Sequence, residues 1–192
     1  LRGEESYRDE QFVRNLGLKY NVDTYVREFE TEKYATENHI SIQAAARVIR
    51  YEYFNLLVAE SKYASFLLTA HHADDNNETV LMNFFRGTGL HGLTGIPVSI
   101  NYIRRPLLSF SKEELLEFAK LNKLDFVEDS SNQSSKYTRN FFRNELIPAV
   151  SKVFPQVKEN LQDSIKRFKE IENLYQLSVG EIKKKLCKPK GK

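Results

Sequence analysis

Cysteine, methionine and long apolar runs are scarce in this chain of 192 residues. Cys187 is the only cysteine, which excludes a disulfide framework or a cysteine-rich zinc site and suggests a reducing, cytoplasmic setting. No uninterrupted apolar stretch reaches about 18 residues, so the sequence predicts no membrane span. Residues 1–5 are too polar and acidic for a secretory signal. Because Met82 is the only methionine, we expect translation to begin upstream of Leu1.

Charge is close to balanced overall but is unevenly distributed along the chain. The formal net charge is +3, from 29 lysines and arginines against 26 aspartates and glutamates. Residues 1–40 hold six basic and nine acidic residues, whereas residues 178–192 hold six lysines and one glutamate. A basic C-terminal segment together with an acidic N-terminal segment is compatible with a nucleic-acid partner. For the C-terminal segment alone, a frayed lysine-rich terminus is the simpler explanation.

Helical and strand-like segments alternate along the chain. Apolar spacing or capping signals predict six helices, namely 4–20, 41–60, one beginning at 74 or 75, 111–122, 137–147 and 154–186. Strand-like or extended segments are predicted at 22–29, 66–70, 100–108 and 124–127, the second of them buried on both faces. This alternation predicts an α/β fold, with a parallel sheet layered with helices in residues 1–150. Residues 151–192 are predicted to be a long helix that forms a linker or the start of a second domain.

The densest polar cluster, residues 71–79, follows the predicted buried strand and opens a helix. In open parallel sheets, ligands bind where strand ends and helix N-termini meet. Asp75 and Glu78 are three residues apart on this helix, so both carboxylates can face one ligand. Asp74 is interpreted as the N-cap, and the two adjacent histidines can be packing residues. Four ionisable groups in five residues exceed what capping requires, which favours a functional site.

Two weaker patterns resemble ligand motifs without meeting their requirements. Zinc or manganese could be held by His and Asp in the cluster, but adjacent residues such as His71 and His72 seldom converge on one ion. No further His or Cys pair stands at ligand spacing, so we predict no metal site. Residues 87–92 match G-x-G-x-x-G, but they follow a helix rather than a strand, which indicates a flexible loop or an ordinary connection.

A third cluster, residues 137–143, carries two arginines. Arg139 and Arg143 are four residues apart and therefore lie on one helical face, which suits phosphate contacts. A solvated basic face paired with Glu145 or Glu128 is the alternative interpretation. Spacing alone leaves both interpretations open.

Several stretches together carry a family resemblance. They are residues 1–6, 41–47, 70–97, 105–108, 128–132 and 137–143. The most specific is the central block, where His-His-x-Asp-Asp-x-x-Glu-Thr is followed by Arg-Gly-Thr-Gly-Leu. Over residues 1 to about 150 the chain resembles the tRNA(Ile)-lysidine synthetase family of the PP-loop ATP pyrophosphatase group.

The resemblance implies an ATP-dependent ligase that acts on the wobble cytidine of the CAU anticodon of an isoleucine tRNA. ATP adenylates the C2 oxygen of the base, and the ε-amino group of free L-lysine then displaces AMP to form lysidine. The implied cofactors and partners are therefore ATP, Mg²⁺, this tRNA and free lysine, and the resemblance is compatible with a homodimer in the cytoplasm.

The resemblance also gives roles to eight residues. Two acidic residues are implied to hold lysine, three arginines to contact substrate, phosphate or tRNA, and three residues to lie at the nucleotide. The lysine-binding residues are Asp75 and Glu78, and the three arginines are Arg47, Arg139 and Arg143. The residues at the nucleotide are Arg2, Gly3 and His71.

One family motif is missing from the 192 residues. The phosphate-cradling Ser-Gly-Gly-x-Asp-Ser loop lies, in the family, upstream of the Leu-Arg-Gly stretch with which this chain opens. We therefore expect the chain to lack the first strand and to be inactive alone. Two further functions stay open, a metal-dependent phosphohydrolase using residues 71–75 and a non-catalytic tRNA-binding fragment. Sulfur transfer to tRNA is disfavoured because Cys187 has no paired cysteine.

Overall fold

The computed structural model describes residues 4–60, 66–128 and 138–187. The elements in chain order are α1 (Glu4–Tyr20), α2 (Thr31–Glu37), α3 (Ile42–Glu60), β1 (Leu67–Leu68), α4 (Ala73–Phe85), α5 (Leu90–Leu93), β2 (Ser99–Ile100), β3 (Ile103–Arg104), α6 (Lys112–Leu121), α7 (Thr138–Phe141), a π-helix (Phe142–Leu146), α8 (Ile147–Ser151) and α9 (Val157–Leu186). The predicted helices are confirmed, with boundaries shifted by a few residues and with a π-helix inside the one predicted at 137–147.

The chain divides into two compact units. The first holds Leu1–Leu67 and Asp125–Glu128, and the second holds Leu68–Leu124 and Asp129–Lys192. No helix among the described residues is both long and apolar enough to cross a membrane.

The first unit is built around the packing of α2 on α3. Ala35 of α2 and Ala45 of α3 are 5% and 0% exposed, so small side chains let the two helices approach closely. Ser41 begins α3 as predicted, and its Oγ accepts a hydrogen bond of 3.2 Å from the backbone N–H of Ala44. The Thr24 side chain lies so close to the backbone of Gly17 in α1 that a Cβ at position 17 would clash with it, which explains the glycine there.

Two predicted strands do not form in the described residues. Residues 22–29 and 124–127 have no sheet neighbour there, and their alternating apolar side chains stay accessible, with Val22 at 64% and Phe126 at 50%. Period-two alternation predicts which side chains share a face, but a strand exists only where a second strand accepts its hydrogen bonds.

The sheet in the described residues is small and has the order β1-β3-β2. β2 and β3 form an antiparallel hairpin, with Ile100 opposite Ile103. Thr69, directly after β1, donates its N–H to the Arg104 carbonyl over 3.0 Å. The α/β class is therefore confirmed, but parallel layering is not observed in these residues. The expectation that 66–70 is buried on both faces is wrong, because Phe66 and Leu68 are 56% and 66% exposed.

The second unit is centred on α4. The long helix α9 packs against α4, α5 and α8, and Ile165 in its first half is only 2% exposed. The N-terminus of α4 is held by a 2.8 Å bond from the Ala73 N–H to the Phe110 carbonyl. Asn76 Oδ1 accepts a bond of 2.6 Å from the Ile96 N–H, and Gly95 lies so close to Asn76 that a Cβ would clash. These contacts hold the polar cluster of α4 in place.

Candidate functional site: an acidic and guanidinium cluster on α4

The polar cluster lies, as predicted, where a short strand is followed by the start of a helix. His72 is the N-cap of α4, and Asp75 Oδ2 accepts a 3.1 Å hydrogen bond from the His72 backbone N–H. A carboxylate in the first helical turn is also favoured by the helix dipole. Backbone capping therefore fixes the position of the Asp75 carboxylate before any tertiary contact is made.

Asp74 does not cap its own helix, which corrects the interpretation drawn from the sequence. Its Oδ2 accepts a 2.8 Å hydrogen bond from the backbone N–H of Lys112, the first residue of α6. Its Oδ1 lies 2.8 Å from the Nζ of Lys158 in the first turn of α9. Asp74 thus joins the N-terminal ends of three helices, because each presents a donor or a cation to the carboxylate.

Glu78 is the buried centre of the cluster. Its side chain is 1% exposed, and Arg143 Nε donates to Glu78 Oε1 over 2.6 Å while Arg143 Nη2 donates to Oε2 over 3.1 Å. The same Nη2 also donates to Asp75 Oδ1 over 3.0 Å. Asp75 and Glu78 therefore do face one cation, which in this structure is a guanidinium of the protein itself.

Arg139 completes the cluster from the preceding helical turn. Its Nε lies 3.1 Å from Glu78 Oε2, and its Nη2 donates to Thr79 Oγ1 over 2.7 Å. The side chains of Arg139 and Arg143 are 38% and 24% exposed, so both arginines are partly accessible to solvent. The solvated-face interpretation is wrong for this pair, because both side chains are turned onto a buried carboxylate.

Burial and charge pairing shift the pKa values of the cluster in opposite directions. Burial raises the pKa of Glu78, although the hydrogen bonds and charge of Arg143 act against it. Burial lowers the pKa of Arg143, but its contacts with Glu78 outweigh that effect and the net pKa is raised. For Asp74, burial is outweighed by the bonds to Lys112 and Lys158, so its pKa is lowered. With two arginines facing Asp75 and Glu78, the ionised group carries no net charge.

A π-helix carries Arg143. The π-helix begins at Phe142, directly before that arginine, and continues the helix of Arg139. Single π-helical turns occur frequently at functional sites. Nothing in the local sequence indicated the π-helix, since residue spacing at 137–147 matches an ordinary helix.

Two members of the cluster were missed by the sequence analysis. Thr79 Oγ1 links Arg139 to the backbone carbonyl of Asp75, to which it donates over 2.8 Å. Thr79 ends the polar run 71–79, which is a weak signal. Lys158 lies far away in sequence on α9, and only the packing of α9 against α4 brings it to Asp74.

A cavity opens beside the cluster. Its volume is about 710 Å³, within the range of small-molecule sites, and Glu78, Arg143 and Asp74 line one side of it. Lys112 and Lys120 of α6 and Lys158 of α9 line it as well, together with Glu113 and Glu117, so its wall carries charges of both signs. The cavity can therefore accept a ligand that carries both negative and positive groups.

The remaining predicted site residues lie elsewhere or outside the described part of the chain. His71 directly precedes α4, and its Nδ1 lies 2.9 Å from Thr69 Oγ1. Arg47 is an exposed residue of α3 in the first unit, with its guanidinium 5.0 Å from the Tyr51 ring centre. Arg2 and Gly3 lie outside the described residues.

The geometry of the cluster does not suit a metal ion. Within residues 4–60, 66–128 and 138–187, no group of three or more His, Cys, Asp or Glu side chains could hold one. Asp74 Oδ1 is turned to Lys158, whereas Asp75 Oδ1 and Glu78 are turned to Arg143, so cations of the protein already occupy these carboxylates. This arrangement counts against a metal-dependent phosphohydrolase.

Comparison with known proteins identifies the class of this fold and site. A profile of the PP-loop domain matches residues 1–150. The match covers more than half of the chain, and the chain belongs to the PP-loop domain family.

The relatives within this family are more specific. A tRNA(Ile)-lysidine synthase of Bacteroides thetaiotaomicron is 41% identical over 191 residues, which is 100% of this chain and 45% of the relative. One from Chlorobaculum tepidum is 37% identical over 95% of this chain and 55% of its own length. One from Thermosipho africanus is 38% identical over 91% of this chain and 39% of its own length. The chain spans about half the length of the curated relatives it matches.

A solved structure supports the fold. The U34-tRNA thiolase of Methanococcus maripaludis, with its 4Fe-4S cluster, matches 82% of this chain and 55% of its own with a TM-score of 0.60. The identity is 20%, so this likeness concerns the fold alone.

Proposed function

We propose that the protein containing this chain is an ATP-dependent ligase that joins free L-lysine to C2 of the wobble cytidine in the CAU anticodon of an isoleucine tRNA. The three relatives described above, each named tRNA(Ile)-lysidine synthase, match 91–100% of the chain. The observation that carries the proposal is the pairing of Asp75 and Glu78 with Arg143 beside a large polar cavity. This arrangement offers positive groups to the phosphates of ATP and negative groups to the lysine ammonium group that stays charged.

The first step requires stabilisation of negative charge. The C2 oxygen of cytosine is a poor leaving group until ATP adenylates it, and charge then develops on the phosphates. Arg143 and Arg139 have partly exposed side chains and are the groups proposed to contact the nucleotide phosphate or the tRNA. Mg²⁺ is proposed to arrive with the ATP phosphates, because the carboxylates of Asp74, Asp75 and Glu78 are already paired with protein cations.

The second step requires recognition of a cationic substrate. One lysine amine must lose its proton before it attacks the adenylated base, while the other stays charged. Asp75 and Glu78 are proposed as the acidic groups of this lysine site. Asp75 is 14% exposed and can reach a ligand, whereas Glu78 at 1% acts by holding Arg143.

The other proposed roles rest on the family resemblance. Arg47 contacts substrate or nucleotide, His71 helps to place the nucleotide, and Arg2 and Gly3 lie near its pocket. The intact protein is proposed to contain a parallel sheet layered with helices, to separate residues 1–150 from a helical region at 151–192, to act in the cytoplasm and to form a homodimer.

Replacement of Asp75 by asparagine tests the function. The variant Asp75→Asn removes the charge with little change in shape, so the intact protein should lose lysidine formation by roughly 100-fold or more while still binding tRNA. The assay measures incorporation of labelled lysine into the CAU-anticodon tRNA in the presence of ATP.

A matched control is Asp163→Asn, at an exposed position of α9, which should incorporate lysine like the wild type. Full activity of Asp75→Asn would remove Asp75 from the reaction. Absence of lysidine formation by the unmodified intact protein would overturn the proposed function itself.

A further inference from the structure

An aromatic cluster lies where the end of α4 meets α7 and the π-helix. Phe84 and Phe85 have ring centroids 5.6 Å apart, Phe85 and Phe142 are 5.8 Å apart, and Phe141 and Phe142 are 6.1 Å apart. Phe142 is buried at 7%, but Phe84, Phe85 and Phe141 are 61%, 64% and 42% exposed. These three exposed rings are called the aromatic patch below. Contiguous exposed apolar groups in a soluble domain mark binding surfaces more often than scattered ones do.

Phe85 of the aromatic patch lies on the same helical face as Glu78. It follows Glu78 by seven residues, or about two helical turns, which places both on one side of α4 about 10 Å apart along the axis. The segment that carries Arg139 and the π-helix crosses this side, with Arg143 on Glu78 and Phe142 on Phe85. Phe84 and Phe141 adjoin this face through their ring contacts with Phe85 and Phe142, so the aromatic patch begins about two helical turns from the buried carboxylate.

Two arginines lie close to the aromatic patch in the sequence. Arg86 follows Phe85 directly and is exposed, and Arg139 precedes Phe141 by two residues and is partly exposed. Residues 79–93 and 138–144 contain no aspartate or glutamate. Exposed aromatic rings beside guanidinium groups, without carboxylates in the same segments, match the chemistry of single-stranded nucleic acid, which offers base faces for stacking and phosphates for ion pairing.

We propose that Phe84, Phe85 and Phe141 form a stacking platform for the unpaired RNA bases next to the base that enters the site. This inference rests on the proposed function, because it takes the RNA to be an anticodon loop. An enzyme that modifies one base must withdraw it from its stack, which leaves the neighbouring bases with uncovered faces. Rings beside the site replace the lost stacking, and Arg86 contacts the phosphates between those bases.

A double substitution of phenylalanine by leucine distinguishes the contribution of aromatic stacking to RNA binding from that of apolar contact. The double variant Phe84→Leu with Phe141→Leu keeps apolar side chains but removes two π-faces, and it leaves Phe85 on the buried Phe142. Stacking on one aromatic ring changes Kd by roughly 5- to 150-fold, so we expect at least about 10-fold weaker binding of a CAU anticodon stem–loop RNA. Fluorescence anisotropy with the intact protein measures this Kd.

Three controls accompany the double variant. Phe118→Leu changes a phenylalanine of α6 that is 59% exposed and lies outside the aromatic patch, and it should bind like the wild type. Phe84→Trp keeps an aromatic face and should retain binding. A fully paired RNA duplex with the sequence of the same stem should bind the double variant and the wild type equally, because it offers no unpaired bases.

The outcomes distinguish the platform from the function. Loss of loop binding in the double variant but not in Phe118→Leu supports the platform, even if the wild type forms no lysidine and the proposed function falls. Unchanged loop binding in the double variant overturns the platform, while lysidine formation by the wild type still supports the function. If the double substitution instead converts a dimer to a monomer, with unchanged RNA binding, the aromatic patch is a contact between two copies and the platform is overturned.

Discussion

At the residue scale, the site depends on a charge that water does not reach. Glu78 is 1% exposed, and a buried carboxylate is costly unless cations and hydrogen-bond donors compensate it. Arg143 supplies two donors to its oxygens, and Arg139 lies against the same group. Because Arg143 also bonds Asp75, the two carboxylates and the two arginines are expected to act as one unit rather than independently.

Removal of Arg143 should therefore affect both stability and function. Arg143→Ala leaves Glu78 with less compensation for burial, and we expect a loss of about 3 kcal/mol in the free energy of unfolding, since breaking a buried pair costs roughly 3–5 kcal/mol and this arginine is partly exposed. Binding of ATP or tRNA should weaken as well. Urea unfolding and binding titrations at several salt concentrations measure these effects.

The matched control is Arg14→Ala, which breaks an exposed ion pair with Glu10 in α1 and should change stability by less than about 1 kcal/mol. If Arg143→Ala behaved like this control, with unchanged ligand binding and salt dependence, Arg143 would be a surface residue without a role in the site.

At the element scale, the orientation of α4 is set by polar contacts at its ends. Asp74 joins the start of α6 through Lys112 and the start of α9 through Lys158. Asn77, which is fully buried, donates to the Lys158 carbonyl over 3.2 Å and adds a second bond to α9. These contacts matter because α4 carries every acidic member of the candidate site.

Acid should weaken this junction of three helices. The folded-state pKa of Asp74 is lowered from its ordinary value of 3.8, so its contacts stabilise the fold above that value and are lost as pH falls through the folded-state pKa. Asp74→Asn should therefore lower the free energy of unfolding by about 2 kcal/mol at neutral pH, and the difference from wild type should shrink below pH 3.8.

Denaturant unfolding across pH measures this difference, with Asp23→Asn at an exposed position of the first unit as the control. A difference that stayed constant down to low pH would show that the charge of Asp74 does not stabilise the junction.

At the scale of the whole molecule, the chain is about half of its relatives in length. It covers 45% of the Bacteroides thetaiotaomicron relative and 55% of the Chlorobaculum tepidum one. A Ser-Gly-Gly-x-Asp-Ser sequence does not occur among the 192 residues. A loop of backbone N–H groups is what binds nucleotide phosphates most strongly, so these residues are expected to provide only part of an ATP site.

Calorimetric titration with ATP tests this expectation. The 192-residue chain alone should bind ATP at least about 10-fold more weakly than the intact protein, and circular dichroism of the chain establishes whether it is folded during the measurement. Equal affinity of the two proteins would mean that the described residues already contain the complete nucleotide site.

The sequence by itself determined the local features of this protein. Apolar periodicity and capping residues predicted α3, α6 and α9 closely, because helix formation depends on neighbours a few residues away. The polar run 71–79 indicated the site in the same way, because its residues are also close together in the sequence. The predicted strands at 22–29 and 124–127 were wrong for the described residues, since a strand depends on a partner that alternation does not reveal.

Only the tertiary structure decided which charges meet. Glu78 is 65 residues from Arg143 in sequence, and Asp74 is still farther from Lys158, so no local pattern joins them. The sequence placed Asp75 and Glu78 on one helical face but could not show that Arg143 covers them. Burial is the physical reason for this pairing, because a carboxylate that is withdrawn from water requires a nearby cation. The packing of the helices determines which cation is within reach.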